Sequence, residues 1–465
     1  MSSITKTTMT STAAKGVPGA SGAAGAGRHY SFQPLNIGRI LIWGAFALAL
    51  IVAPLVFTSS LALTMLSQIG YLIIICLSYN ILLGQGGMLS FGHAVYTGLG
   101  SFIAIHAMNR ASSGDWGIPL VLIPIIGGLG GMFFAALLGY VTTKKSGTTF
   151  AMITMGIGEL VASMALMFPE FFGGEGGITT DRVYGKPFFG LTFGSGMEVY
   201  YLIAAYCFIC TAAMFAFTGT PLGRMLNAVR DNPERVEFIG YNTQRVRYTA
   251  FIIAGFFAGI GGGLATINFE IVNAADSLNG IRSGGYLLFT FLGGATYFFG
   301  PIIGAVLLVF ASILLSELTK AWLLYLGLIF LFMVMFAPGG VASLVMTNLR
   351  VARFGRFGPF WALYAGLAVT GALTAAGAAA LVEMIYHRQL NAALGPELHF
   401  LGLSLDTSSA TSWVLAAALL AVGGFLLEQV RRRFVRAWGH AQEQIEAEIQ
   451  RRLRHRGGAD AGVAP

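Results

Sequence analysis

Few residues in this sequence have the type and spacing for chemistry. Glu159 is the only formal charge deep within an apolar run. A carboxylate at that depth costs several kcal/mol unless it faces protein or a water-filled cavity, or is protonated. It therefore either lines a solute path or bonds a neighbouring helix, with Ser90 and His93 as the available partners. Gln85, Ser90 and His93 lie in a glycine-rich stretch where backbone groups can be free, and His93 fits a structural hydrogen-bond donor better than a proton carrier. Cys207 and Cys210 form a CxxC inside an apolar run, with no second pair or histidine near in sequence, so they read as small core residues rather than a metal or redox site. The chain has no GxxxxGK[ST] phosphate loop, no nucleophile–base pair and no metal-ligand cluster. No catalytic residue, metal or cofactor is expected on it.

The elements that must position these groups are membrane spans. Of 465 residues 55% are hydrophobic and only 10% charged, and the mean hydropathy is +0.73. That excludes a soluble or a disordered chain. Three cysteines exclude a disulfide framework. Alternating apolar and polar strands are absent, which excludes an outer-membrane barrel. The expectation is an all-α polytopic helical bundle, and the 63 glycines suggest closely packed helices.

Residues 1–38, rich in Ser, Thr, Ala and Gly, read as a disordered cytosolic tail. Apolar runs follow at 40–57, 61–83, 87–107, 118–141, 148–168, 199–217, 249–268, 284–300, 301–316, 322–336, 360–384 and 411–428. The runs 87–107 and 284–300 are glycine-rich or short, and either full spans or re-entrant segments fit them. With both termini inside, twelve crossings put 22 of the 28 basic residues on the inner side and six outside: Arg110, Arg182, Lys186, Arg282, Lys320 and Arg388. The inner segments then balance at +14 and the outer at −5, as the positive-inside rule requires. The net +8 mainly encodes orientation.

Two loops are long. The outer loop 169–198 carries Glu170, Glu175, Asp181 and Glu198 against two basic residues. The inner loop 218–248 predicts one or two short amphipathic helices: Pro221 starts the first, Asn232 and Pro233 the second, and Gly240 stops it. Gly255, Gly259 and Gly263 follow at i, i+4 and i+8, a small-residue face for close helix packing. The charged tail 429–465 carries Val430, Phe434, Trp438, Ala441, Ile445, Ile449 and Leu453 as one apolar stripe, which suits a helix on the inner leaflet or against a partner.

The inner loop TPLGRMLNAVRDNPERVEFIGYN closely resembles the cytosolic coupling segment of the branched-chain amino acid permease family of ABC importers. The matching positions are Thr220, Pro221, Leu222, Gly223 and Arg224, then Ala228, Val229, Arg230 and Asp231, then Gly240 and Asn242. Four further stretches resemble the family in order: 80–102 with Ser90, Gly92, His93 and Ala94; 149–160 with its single Glu159; 291–308; and 336–341. Met88, Ser101, Phe102, Ser163 and Ala337 depart from the family pattern. The resemblance covers roughly 40–341, the permease domain 39–341, and leaves a two-span extension 342–428 and the tail.

The resemblance implies a ten-span permease core in a prokaryotic inner membrane and transport by alternating access. Its partners would be a second homologous permease, two cytosolic ATPases carrying ATP and Mg, and an extracytosolic solute-binding protein docking on loop 169–198; no nucleic acid is implied. Arg224 and Arg230 would pair with acidic groups on the ATPase, and Leu222, Met225, Leu226 and Val229 would fill its apolar groove. The implied substrates are branched-chain amino acids, with urea, short amides and aromatic or small carboxylates as alternatives within the family. A proton-coupled secondary transporter using Glu159, or a scaffolding membrane protein, would leave the coupling-loop motif unexplained.

Overall fold

A computed structural model describes residues 37–114, 117–184, 192–319, 321–337, 339–354, 358, 360–390, 397–400 and 403–461. The N-terminal tail 1–36, Lys186 and Lys320 lie outside the described residues. The chain divides into a short unit ending at Ala49 and a main unit from Leu50 onward.

Helix α1 runs Ile37–Val56 and crosses the unit boundary. α2 (Ser60–Asn80) starts at an N-cap where Ser59 accepts from the Ala62 amide, and it ends in a π-helical turn, Ile81–Gln85. α3 (His93–Ser112), α4 (Ile123–Thr142) and α5 (Gly147–Met167) follow, then a single turn, α6 (Pro169–Phe172). A two-residue strand β1 (Ile178–Thr179) precedes α7 (Gly196–Gly219). The inner loop folds as α8 (Pro221–Asp231) and α9 (Pro233–Phe238), and α10 (Thr243–Phe269) returns across the bundle. Strand β2 (Ile271–Val272) pairs antiparallel with β1, and α11 (Ala274–Ser277) leads into α12 (Gly280–Gly293). α13 (Gly300–Phe310) ends in a second π-helical turn and the short α14 (Ser316–Leu318). α15 (Trp322–Phe336) and α16 (Gly340–Arg353) are bent by 48° at their junction. α17 (Phe360–Leu390), the antiparallel hairpin β3 (Glu397–Phe400) with β4 (Leu403–Asp406), and α18 (Ala410–Ala461) complete the chain.

Each of the twelve apolar runs contains a helix, so the chain is an all-α polytopic membrane protein. Among the described residues seven helices are long and apolar enough to cross a membrane, eight if the bent pair α15–α16 counts as one. Three of the runs have other boundaries than expected. The run 87–107 is helical only from His93, because residues 86–92 form a largely buried non-helical segment, with Gly87 exposed. The runs 284–300 and 301–316 become a hairpin of short helices around a turn at 294–299, and α12 starts four residues earlier than hydropathy places it.

The core of the bundle is α3, α4 and α10. Gly255, Gly259 and Gly263 do form its contact face: a Cβ on Gly259 would fall on the Gly127 carbonyl, and one on Gly255 on Ala135. Side chains on Gly100, Gly127 and Gly131 would likewise strike the α10 backbone, so the helices touch through bare main chain on both sides. Ser101 donates to the Gly262 carbonyl at 2.9 Å across this contact. Cys207 and Cys210 are buried free thiols on α7.

Two expectations about the C-terminal region change. The final span and the charged tail form one continuous helix, α18, and its apolar stripe is packed against the chain itself from Phe434 to Ile445, while the side chains of Ile449 and Leu453 lie outside those described. Phe434, Trp438, Ala441 and Ile445 pack on Val351 of α16 and on Phe360 and Tyr364 of α17. Glu159 is also not the only carboxylate inside a helical span. Glu383 is buried on α17, which runs on to Leu390, and it accepts from the hydroxyls of Thr319 and Tyr325.

Candidate functional site

The inner end of the bundle is organised around α8. Thr220 caps it by accepting from the Gly223 amide at 3.2 Å, with Pro221 at its first position; Asn232 caps α9 by accepting from the Arg235 amide at 2.9 Å. Asn242 does the same for α10, and Gly240 adopts a left-handed φ of 88° between α9 and α10. These caps satisfy the first amides of each helix and fix three successive bends.

α8 buries Gly223, Leu226 and Val229 against its own chain. Leu226 and Val229 therefore do not belong to a surface for a partner. Ala228 and Arg224 are exposed, and Leu222 and Met225 half-buried. Large apolar side chains instead emerge at the far end of the loop, where Phe238 is 91%, Ile239 65% and Tyr241 52% exposed. Their apolar type was legible in the sequence; their orientation depends on the Asn232 and Gly240 bends.

Arg230 is exposed, with its head group turned back onto its own chain. Its guanidinium donates to the Gly84 carbonyl and forms an ion pair with Asp231, Nη2 to Oδ1, at 2.9 Å. Arg230, which the family resemblance pairs with an acidic group on the ATPase, thus has these two contacts within its own chain. The tie depends on the π-helical turn 81–85, which departs from the regular ladder, leaving the Gly84 carbonyl to accept from a side chain. Gly87, at φ 63°, lies under the Arg230 methylenes, where a Cβ would come within 2.8 Å of Cγ. The other glycine-rich motifs meet here too. A side chain on Gly84 would strike the Ala295 carbonyl, and one on Gly294 the carbonyl of Gly339. The π turn, α8, the α12–α13 turn and the α15–α16 bend thus form one junction.

The segment 86–92 is held from several elements. Tyr79 Oη donates to the Ser90 carbonyl at 2.7 Å and accepts from the Ser90 amide at 3.2 Å. Thr154 of α5 accepts from the Phe91 amide at 3.1 Å, and Ser283 of α12 from the Ala94 amide at 3.0 Å. Non-helical backbone inside a membrane bundle requires this kind of satisfaction. His93 Nε2 lies 2.9 Å from Ser78 Oγ, so His93 is bound to α2. Gln85 Oε1, Ser90 Oγ and His93 Nδ1 are buried without a hydrogen-bond partner among the described residues.

Glu159 joins neither Ser90 nor His93. It is exposed on α5, with the Gly280 backbone beside it: a Cβ on Gly280 would lie 3.4 Å from Oε1. Arg282, expected in an outer loop, sits at the start of α12, hydrogen-bonded to Tyr286 and near Tyr71 and Asp276.

On the outer side Arg182 gathers the loop. Its amide donates to Glu270 Oε1 at 3.1 Å and its Nη2 to the Gly194 carbonyl at 3.3 Å. Glu198 and Asp181 accept from the amides of Phe193 and Val183, while Glu170 and Glu175 remain exposed. Burial pushes the Tyr184 phenol up to about 12, so it stays neutral.

The family model described as the permease component of branched-chain amino acid transport systems matches residues 61–339. The high-affinity branched-chain amino acid transport system permease protein LivM of Escherichia coli K12 is 26% identical over 300 residues, 60% of this chain and 69% of LivM. LivM of Salmonella typhimurium LT2 is 26% identical over 303 residues, with the same coverage. The guanosine ABC transporter permease protein NupQ of Bacillus subtilis 168 is 30% identical over 143 residues, 28% of this chain and 43% of NupQ. No solved structure matches. The match takes in all five motif segments apart from the last two residues of 336–341, and on that basis the chain belongs to the permease family of branched-chain amino acid transport systems.

Proposed function

We propose that this chain is the membrane subunit of an ATP-driven importer for branched-chain amino acids, working by alternating access in a prokaryotic inner membrane. The observation that carries the reading is the capped α8–α9 unit, seated under the bundle with Phe238, Ile239, Tyr241 and Arg224 turned outward. A cytosolic ATPase that grips this face would move α8 and, through Arg230, the π turn of α2. ATP and Mg belong to two such ATPases. A second homologous permease completes the membrane part, and an extracytosolic binding protein delivers solute to the outer loop through the exposed Glu170 and Glu175. The charge distribution supports twelve crossings, ten in the core and two in the extension, with both termini cytosolic.

The test is uptake of labelled leucine by vesicles containing the assembled transporter. Arg224→Glu should abolish ATP-driven uptake without lowering membrane abundance, and Phe238→Ser with Ile239→Ser should lose the ATPase on purification. Uptake unchanged by Arg224→Glu, with both apolar substitutions still holding the ATPase, would refute the role.

A further inference from the structure

The outward face of α5 has no cover from its own chain. Met152, Met155, Gly156, Glu159, Ser163 and Leu166 lie within one side of the helix by their three- and four-residue spacing, and all are exposed. Glu159, the helix's only charge, stands at the centre of that face. It lies twelve residues past Gly147, about 18 Å along a helix of 1.5 Å rise. No ion pair to it forms among the described residues. An ionised carboxylate at that depth is costly against acyl chains, so it calls for cover by water, a charged ligand or another protein surface, and the neighbouring groups favour the first two.

Three further observations lie beside it. Gly156 of α5 and Gly284 and Gly285 of α12 have open space where a Cβ would be, so no neighbouring group crowds the surface there. Arg282 is exposed on α12 two residues after Gly280, where an added Cβ would lie 3.4 Å from Glu159 Oε1. Met152 and Met155 supply flexible apolar surface that adapts to different aliphatic shapes.

The geometry points to this α5–α12 face as the wall of the solute path, with Glu159 receiving the ammonium group of a zwitterionic solute, Arg282 its carboxylate and Met155 its aliphatic side chain. This deepens the importer reading and rests on it for the direction of transport, not for the existence of the wall. It also selects for solutes carrying an amino group over deaminated ones of the same shape.

The experiment uses single cysteines in the assembled transporter. The native Cys76, Cys207 and Cys210 are buried, so the labelling background is low. Gly156→Cys and Ser163→Cys should react with a charged, membrane-impermeant methanethiosulfonate. Phe133→Cys, on an exposed apolar face of α4, should not. Labelling of the α5 positions no faster than at Phe133→Cys would overturn the proposal, whether or not the transporter is active. In uptake, Glu159→Gln should raise the KM for leucine about tenfold at unchanged membrane abundance, and bring it toward that of its deaminated analogue 4-methylpentanoate. A wild-type KM and wild-type discrimination in Glu159→Gln would overturn the ammonium role. Thiol labelling without any ATP-driven uptake would overturn the importer reading and leave the wall standing.

Discussion

The Arg230–Gly84 tie makes the sharpest prediction about how force enters the bundle. Arg230→Ala removes the one side chain among the described residues that donates to the Gly84 carbonyl. A hydrogen bond from a charged donor contributes about 1.5–3 kcal/mol. The Arg230 side chain is 36% exposed, so screening brings this to the low end, about 1.5 kcal/mol. The Asp231 partner is 67% exposed and adds little. A loss of about 1.4 kcal/mol is a factor of ten. The expected result is about a tenfold fall in leucine moved per ATP hydrolysed, with ATPase binding intact because Phe238, Ile239 and Tyr241 are untouched. Gly87→Ala reaches the same contact from the other side, since its Cβ would displace the Arg230 methylenes and its φ of 63° disfavours any side chain. The two effects should not add in the double variant, because they break one contact. The assay is paired measurement of uptake and ATP hydrolysis in proteoliposomes. Normal stoichiometry in Arg230→Ala, or strict additivity with Gly87→Ala, would refute the tie as the transmitting element.

Three further outcomes concern stability. Gly259→Val should cost about 1–3 kcal/mol by forcing α10 off the Gly127 carbonyl. It should lower the melting temperature in detergent, while Gly371→Ala, where a Cβ meets nothing, should not. Glu383→Ala should take the carboxylate acceptor from the Thr319 hydroxyl and leave the Tyr325 hydroxyl only its 3.4 Å bond to the Ala379 carbonyl, at a cost of about 1–3 kcal/mol, and speed hydrogen exchange in α17; Glu383→Gln, which keeps the acceptor, should come close to wild type. Phe434→Ala with Trp438→Ala should cost about 2 kcal/mol, below the value for fully buried aromatics because both are half-exposed, and should open the end of α18 to limited proteolysis.

Hydropathy made the helices legible because burial in lipid demands long apolar runs, and every run holds one. It misplaced α12 for the same reason. The polar sequence Gly280-Ile281-Arg282-Ser283 looks like a loop, yet it opens a helix, since Asn279 caps it and Tyr286 and the Ala94 amide take up its polar groups. The glycine spacing at 255, 259 and 263 showed a packing face because helix periodicity is fixed. The complementary Gly127 and Gly131 on α4 carry the same four-residue spacing and could have been found by it. The direction of Arg230 was not legible. Its partner is a main-chain carbonyl released by a π-helical turn, and nothing in the side-chain pattern marks that turn. Glu383 was overlooked because it falls at the edge of an apolar window, although the helix continues for seven residues beyond it.

Helix α12 links the two regions where function concentrates. Its fourteen residues span about 21 Å. At the inner end the following turn rests on Gly84 and Gly339, within the junction that receives Arg230 from the coupling helix. At the other end Gly280 lies beside Glu159, and Ser283 holds the start of α3. A hydrogen-bonded helix does not shorten appreciably under load, so displacement of the 294–299 turn must appear at Gly280 and Arg282. α5 makes only a narrow contact with α12 at that level. The motion would therefore change the spacing of Arg282 from Glu159 rather than carry both together. A pair of opposite charges, one on each side of a sliding contact, is a means of holding a zwitterion in one state and releasing it in the other. That arrangement needs α12 to be a short, polar-started helix, and the shortness that disguised it in the hydropathy pattern is the property that serves it here.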